Sequence, residues 1–249
     1  MTYCVGMLVE DGLVMMADTL TNAGVDNIST YRKLHVLSES RNRIVVAMTA
    51  GNLSVTQSAI TMIEEGLPPR EEGAMPRRIS DMPTLFRAAQ LVGEAIYSAR
   101  REIDTTVRAE GISTGVSILL GGRIGNEPLK LYMIYSQGNF IECHSETPFL
   151  QIGSMEYGKP ILDRALHYET TLSETVKIGL LSFDSTMRSN LAVGRPIDLI
   201  VIPEDPVLPV TRRRIESDDD YFNMISIQWG GLLRDALDAI PDPPFLSQI

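Results

Sequence analysis

The strongest constraint on the fold lies at the start of the sequence. Residues 3–9 and 13–17 are short β-prone apolar runs, and Glu10-Asp11-Gly12 between them carries the Asp-Gly signal of a tight hairpin turn. The chain therefore opens as two paired strands. A hairpin begun this early sets Thr2 at a sheet edge, with Asp18 just past the end of the returning strand and close to where Thr2 starts. Lys33 opens a third apolar run, residues 33–37, and can approach the same point. A hydroxyl, a cation and a carboxylate at three neighbouring strand ends make a candidate site. Thr2 also stands directly behind the initiator Met. Removal of Met1 would place a hydroxyl and a free α-amine on one residue, and an amine with pKa ~7.7–8.0 can serve as that hydroxyl's own general base. Met-Thr starts are common, so the dipeptide alone does not separate a nucleophile from an ordinary terminus.

Residues 19–32 are polar and contain Gly24, Asn27 and Ser29, which predicts a loop forming one wall of a cleft. Residues 34–37 and 43–47 are again strand-like. Thr49-Ala50-Gly51 then leads into a helix with Val55, Ala59, Met62 and Ile63 on one face, Asn52 or Ser54 as cap and Gly66 as stop. After the proline-broken stretch 67–82, Ser80 or Asp81 caps a long helix running toward Val107, its stripe including Leu85, Ala88, Val92 and Ile96. Runs at 116–120, 129–135, 140–143 and 149–152, with a turn region at Gly121-Gly122, have the shape of a second sheet. Ser154 is an N-cap candidate for a helix through Ile161 and Leu166, Ser173 caps another, and a final strand follows at 198–202. This order predicts an α+β fold, a four-layer αββα sandwich of two stacked, mainly antiparallel sheets. It is expected to be a single domain, 1–249, with a C-terminal extension from about 203 that holds an apolar run at 222–229 and a helix around Leu232 and Leu237.

Charge and composition narrow the function. A net charge of −10 argues against nucleic acid, and Arg77-Arg78, Arg212-Arg213-Arg214 and Asp218-Asp219-Asp220 read as solvated or interface patches. Two cysteines cannot make a disulfide framework, and neither a signal peptide nor a run of 18 apolar residues occurs, so a reducing cytoplasm and no membrane partner are expected. Three scattered histidines and the lack of phosphate-loop or dinucleotide glycine patterns lead us to expect neither metal nor cofactor. Cys143 and His144 are neighbours that point to opposite faces of a strand, whereas Cys4 with His35 or His167 stays open as a nucleophile and base.

Thr2, the strand-turn-strand with Asp11-Gly12, Ala17-Asp18-Thr19, Lys33 and Thr49-Ala50-Gly51 together resemble the active-site framework of proteasome β-type subunits, threonine hydrolases of the N-terminal-nucleophile (Ntn) class. The bare Met-Thr start and the local wording most resemble the bacterial proteasome-like ancestral β-subunit (Anbu) family. The likeness is strong over about the first 55 residues and looser over roughly 110–202, with Lys33 one residue closer to Thr2 than in proteasomes proper.

The resemblance implies cleavage of peptide or amide bonds through an acyl-enzyme on Thr2, with Lys33 oriented by Asp18 and Ser154 helping proton transfer. Gly51 is either a turn residue or, as the resemblance implies, the amide that holds the oxyanion. Where the family carries an Asp and, three residues on, a Ser, this sequence has Asn190 and Val193. Asp184 does not substitute, because six residues is roughly 600° of helical rotation. Asn190 is thus expected to hold the Thr2 amine by neutral hydrogen bonding. The implied partner is a second copy of the chain, in a homo-oligomeric ring or spiral. A non-catalytic ring subunit of the same fold is the alternative; proteasome α-type proteins carry a helical extension before the first strand, which here begins at residue 3.

Overall fold

The structure, a computed structural model, describes residues 2–22, 28–107 and 113–246. The opening hairpin is present as β1 (Tyr3–Val9) and β2 (Gly12–Asp18). β1 is not an edge, however: it pairs antiparallel with β2 on one side and with β10 (Phe149–Gly153) on the other. Thr2 therefore lies at the end of an interior strand, held from both flanks. The sheet continues from β2 through β11 (Ile197–Pro203) to β12 (Thr211–Ile215), giving the order β10-β1-β2-β11-β12. All seven residues of β2 are buried because this sheet is covered on both faces.

The second sheet has the order β5 (Leu34–Ser40), β6 (Arg43–Gly51), β7 (Val116–Ile124), β8 (Lys130–Tyr135) and β9 (Phe140–Glu142), all antiparallel. Two expectations need correction here. Residues 149–152 form a strand but join the first sheet, since alternation reports a strand and not its partner. Gly121-Gly122 is no turn: β7 runs straight through it, because a side chain at Gly121 would collide with Leu13 and Met15 of the facing sheet. The stretch 19–32 also differs from a plain loop. Its described residues include a two-stranded ribbon of β3 (Leu20–Asn22) and β4 (Ile28–Thr30), while Gly24 lies outside the described residues.

Helices cover both outer faces. On one side α1 (Leu53–Glu65) and α2 (Leu85–Val107) pack on the second sheet through Val55, Ile63, Val92, Ile96, Val45 and Ile118. On the other, α3 (Lys159–Ala165), α4 (Leu172–Ser189) and α5 (Asp220–Ala239) pack on the first sheet through Leu162, Leu180, Phe183, Phe222, Val5 and Met16. A third apolar layer, including Leu13, Met15, Val46, Met48 and Leu119, fills the space between the sheets. The molecule is thus a four-layer αββα sandwich.

Caps follow local chemistry only in part. Asn52 Oδ1 accepts from the Val55 amide at 3.2 Å and starts α1. For α2 the amide of Arg87 donates to Thr84 Oγ1 at 3.2 Å, whereas Ser80 and Asp81 belong to a preceding 3-10 turn. Thr171, not Ser173, caps α4 by accepting from the Glu174 amide. In the C-terminal extension Arg212, Arg213 and Arg214 are ion-paired with Glu39, Asp219 and Asp198, and Asp219 caps α5 by accepting from the Phe222 amide. Among the described residues no helix is long and apolar enough to cross a membrane.

Candidate active site

β1, β6 and the segment entering β5 converge at one end of the sandwich, where Thr2, Lys33 and Gly51 line a cavity of about 420 Å³. The convergence follows from pairing. The amide of Thr49 donates to the carbonyl of Lys33 at 3.0 Å, which ties the start of β5 to the end of β6. The amide of Tyr3 donates to Asp18 Oδ1 at 3.0 Å, which ties the start of β1 to the end of β2.

Asp18 is fully buried and does not touch the cavity. Its Oδ1 also accepts from Lys33 Nζ at 2.7 Å, and the same ammonium donates to the carbonyl of Leu20 at 2.7 Å. Burial raises the Asp18 carboxyl above its ordinary range, opposed by the Lys33 charge and by the amides of Tyr3 and Gly194. The carboxylate therefore orients the lysine from behind while the lysine reaches the cavity wall.

On the opposite flank the amide of Ser154 donates to the Thr2 carbonyl at 2.7 Å. Gly153 just before it has φ +88°, and a side chain there would collide with the Thr2 carbonyl, so this close approach needs glycine. Gly51 likewise takes φ +111°, closing the last turn of β6 against Gly115 before α1 begins. Ser154 is not an N-cap: α3 starts after Gly158, and Ser154 Oγ accepts from Asn190 Nδ2 at 2.9 Å. Asn190 ends α4, and its Oδ1 accepts from the Ala192 amide at 3.0 Å. Asp184 indeed turns elsewhere, accepting from Ser226 Oγ at 2.6 Å and pairing with Arg188. All six expected site residues therefore gather around the first strand: Thr2, Lys33 and Gly51 on the cavity, Asp18 behind it, and Ser154 with Asn190 on the far side.

Tyr3 is a further anchor that the sequence did not single out. Its buried hydroxyl accepts from Gln151 Nε2 at 2.6 Å and donates to Ser182 Oγ at 3.2 Å, fixing the residue next to Thr2 to both β10 and α4. Burial pushes its pKa up to about 12. Thr56 and Gly153 also line the cavity without having been expected to; the signals were their nearness to the Asn52 cap and to Ser154. Thr21 and Tyr31 come from the 19–32 segment expected to form a cleft wall, and Thr49, Ala50 and Leu53 flank Gly51 at the start of α1. Cys4 is fully buried, its thiol lies 3.8 Å from the Thr49 carbonyl, and burial raises its pKa, so it is held as a protonated thiol without an imidazole partner.

A four-layer sandwich with these residues at the end of its first strand has the architecture of proteasome-type β-subunits. The chain is 25% identical to the proteasome subunit beta of Ferroglobus placidus over 221 residues, covering 87% of this chain and 93% of that one. No family model matches it. Among solved structures it is similar to an Anbu (Gly-1) mutant from Hyphomicrobium sp. strain MC1, with 42% identity, TM-score 0.87 and coverage of 98% of this chain and 99% of that one. Anbu from Yersinia bercovieri is 38% identical at TM-score 0.87, and Anbu from Pseudomonas aeruginosa, described as a helical assembly, is 42% identical at TM-score 0.87; each covers 97% of this chain and 98% of its own. The chain belongs to the Anbu, or ancestral β-subunit, family.

Proposed function

We infer that this protein is an N-terminal threonine hydrolase that cleaves peptide or amide bonds. The observation that carries this is the shared cavity of Thr2, Lys33 and Gly51, with the Lys33–Asp18 pair buried at its wall. In this mechanism Met1 is removed and the Thr2 α-amine takes the proton of Oγ, directly or through a water. Oγ bonds to the substrate carbonyl carbon, and the Gly51 amide stabilises the oxyanion. The C–N bond then breaks, and the leaving amine carries away the proton held by the α-ammonium. Water attacks the resulting ester and regenerates Thr2. Lys33 supplies positive charge that disfavours protonation of the α-amine, Asp18 orients it, and Ser154 with Asn190 positions the amine on the other flank.

We further infer that the chain is a self-assembling subunit acting as one domain over 1–249. The helical assembly of its Pseudomonas aeruginosa relative supports the first point, and the second rests on three apolar layers that share the same strands. The test is intact-mass measurement of the native protein, followed by treatment with an epoxyketone or β-lactone. The protein is expected to start at Thr2 and to gain one adduct there, and Thr2→Ala is expected to abolish hydrolysis while assembly persists. Full retention of Met1 with no adduct at Thr2 would favour the non-catalytic ring subunit.

A further inference from the structure

The connection between α4 and β11, residues 190–196, touches both polar pairs that flank Thr2. At its start Asn190 Nδ2 donates to Ser154 Oγ at 2.9 Å, and the Ser154 amide holds the Thr2 carbonyl. At its end the carbonyl of Pro196 accepts from the amide of Thr19 at 3.0 Å and from Thr19 Oγ1 at 2.8 Å. Those two bonds fix the chain that runs into Leu20, whose carbonyl accepts from Lys33 Nζ at 2.7 Å. Between the two ends, Gly194 packs so near Leu20 that a side chain would crowd it, and its amide opposes protonation of Asp18. A shift of this one segment therefore reaches both flanks of Thr2 together.

A surface connection is not rigid by itself, and Leu191 within it is 92% exposed. Helix α5 of the C-terminal extension holds it. Arg195 Nη1 donates to Asn223 Oδ1 at 2.9 Å, and the guanidinium lies 4.9 Å from the centroid of the Phe222 ring. In the last turns of α4, Ser226 Oγ donates to Asp184 Oδ1 at 2.6 Å and accepts from Arg188 Nη2 at 3.0 Å. The segment is thus pinned at both ends by one helix. That helix is itself anchored, with Phe222 and Ile225 buried against the first sheet and Asp219 as its cap.

We propose that Arg195 is a positioning residue for Thr2, held in place by Asn223 and Phe222, and that α5 thereby belongs to the support of the active site. The proposal rests on the hydrolase reading for its turnover arm but not for its exchange arm. Arg195→Met keeps an unbranched side chain and loses the guanidinium. Asn223→Leu removes the acceptor, and Asn223→Asp retains one.

In the turnover arm, Arg195→Met and Asn223→Leu are each expected to lower kcat about tenfold, as loss of one hydrogen bond to a charged group does, with KM unchanged because neither residue lines the cavity. Asn223→Asp is expected to keep the wild-type kcat. The double variant of Arg195→Met with Asn223→Leu is expected to be no slower than Arg195→Met alone, since both act through one contact. A role in stability alone leaves kcat per folded molecule unchanged. In the exchange arm, hydrogen–deuterium exchange of the full-length protein, read by mass spectrometry, follows residues 2–9 and 150–158 beside 190–196. Arg195→Met is expected to speed exchange in all three segments, and if it does not fold, Asn223→Leu carries the same comparison with the guanidinium left on Phe222. If the wild-type protein cleaves nothing yet exchange spreads from 190–196 to both flanks, the hydrolase reading fails while the positioning role stands. Faster exchange confined to 190–196, an unchanged kcat in active protein, Asn223→Asp as slow as Asn223→Leu, or a double variant whose loss is the product of the two single losses overturns the proposal.

Discussion

Thr2 is flanked by two buried polar pairs that differ in kind. On the strand side, Lys33 and Asp18 form an ion pair at 2.7 Å that also receives the amide of Tyr3. On the helix side, Asn190 and Ser154 form a neutral hydrogen bond at 2.9 Å, and the Ser154 amide holds the Thr2 carbonyl. The two flanks position the same residue, yet only the first places a charge at the cavity. An ion pair depends on each partner to neutralise the other, whereas an amide and a hydroxyl stay neutral when separated. The strand side should therefore answer to pH and the helix side should not.

The largest effect is expected from Lys33→Met, which strands the Asp18 carboxylate at a cost of about 3–5 kcal/mol at pH 8. Lys33 itself is buried, so its loss is expected to lower stability as well as turnover. The cost should shrink on acidification. Without the opposing lysine, burial raises the Asp18 carboxyl further, so the folded variant holds a proton that the unfolded chain releases. Stability is then retained at low pH and lost as pH rises through the folded-state value. Denaturant unfolding at pH 5 and pH 8 measures the difference, and equal losses at both would break the comparison.

Asn190→Asp converts the neutral flank into a charged one. A carboxylate buried there, desolvated when charged and relieved by protonation, should cost roughly 2–4 kcal/mol at pH 8 and little at acid pH, and equal losses at both would break the comparison. Asn190→Ala should cost about 1–2 kcal/mol, equally at both pH values, as a lost hydrogen bond between neutral groups does. The smallest effect belongs to His35, which lies on a separate cavity beside Glu64 and Asp198. Burial lowers its pKa, so the unfolded chain binds a proton that the folded one resists. Stability should be full above the ordinary imidazole range and fall as pH drops through it, and His35→Gln should flatten that acid limb in the same unfolding series.

How far the site was legible depended on how local its causes were. The strand ends carrying Thr2, Asp18 and Lys33 were legible, because an Asp-Gly turn between apolar runs dictates where each strand stops. The Asn52 cap of α1 was legible for the same reason, since a side chain meeting an amide three residues on needs no tertiary context. Ser154 was not. As a serine ahead of a helix it has the local chemistry of a cap, but the chain turns at Gly153 and delivers its hydroxyl to Asn190. Thr56 was invisible because it reaches the cavity only once α1 packs beside it.

By itself the sequence determined most strands and helices of the two sheets, though not the β3–β4 ribbon or β12, together with which faces are apolar and how many layers those faces require, because periodicity and turn chemistry act over a few residues. Sheet membership was left to the tertiary structure: β10 joins β1 although alternation alone would serve either sheet, and Gly121-Gly122 reads as a turn until Leu13 and Met15 stand opposite it. The place of Thr49 is of the same kind. A threonine near the end of a strand says nothing of what surrounds it, and only the packing of α1, the ribbon and Lys33 sets it on the wall of a cavity.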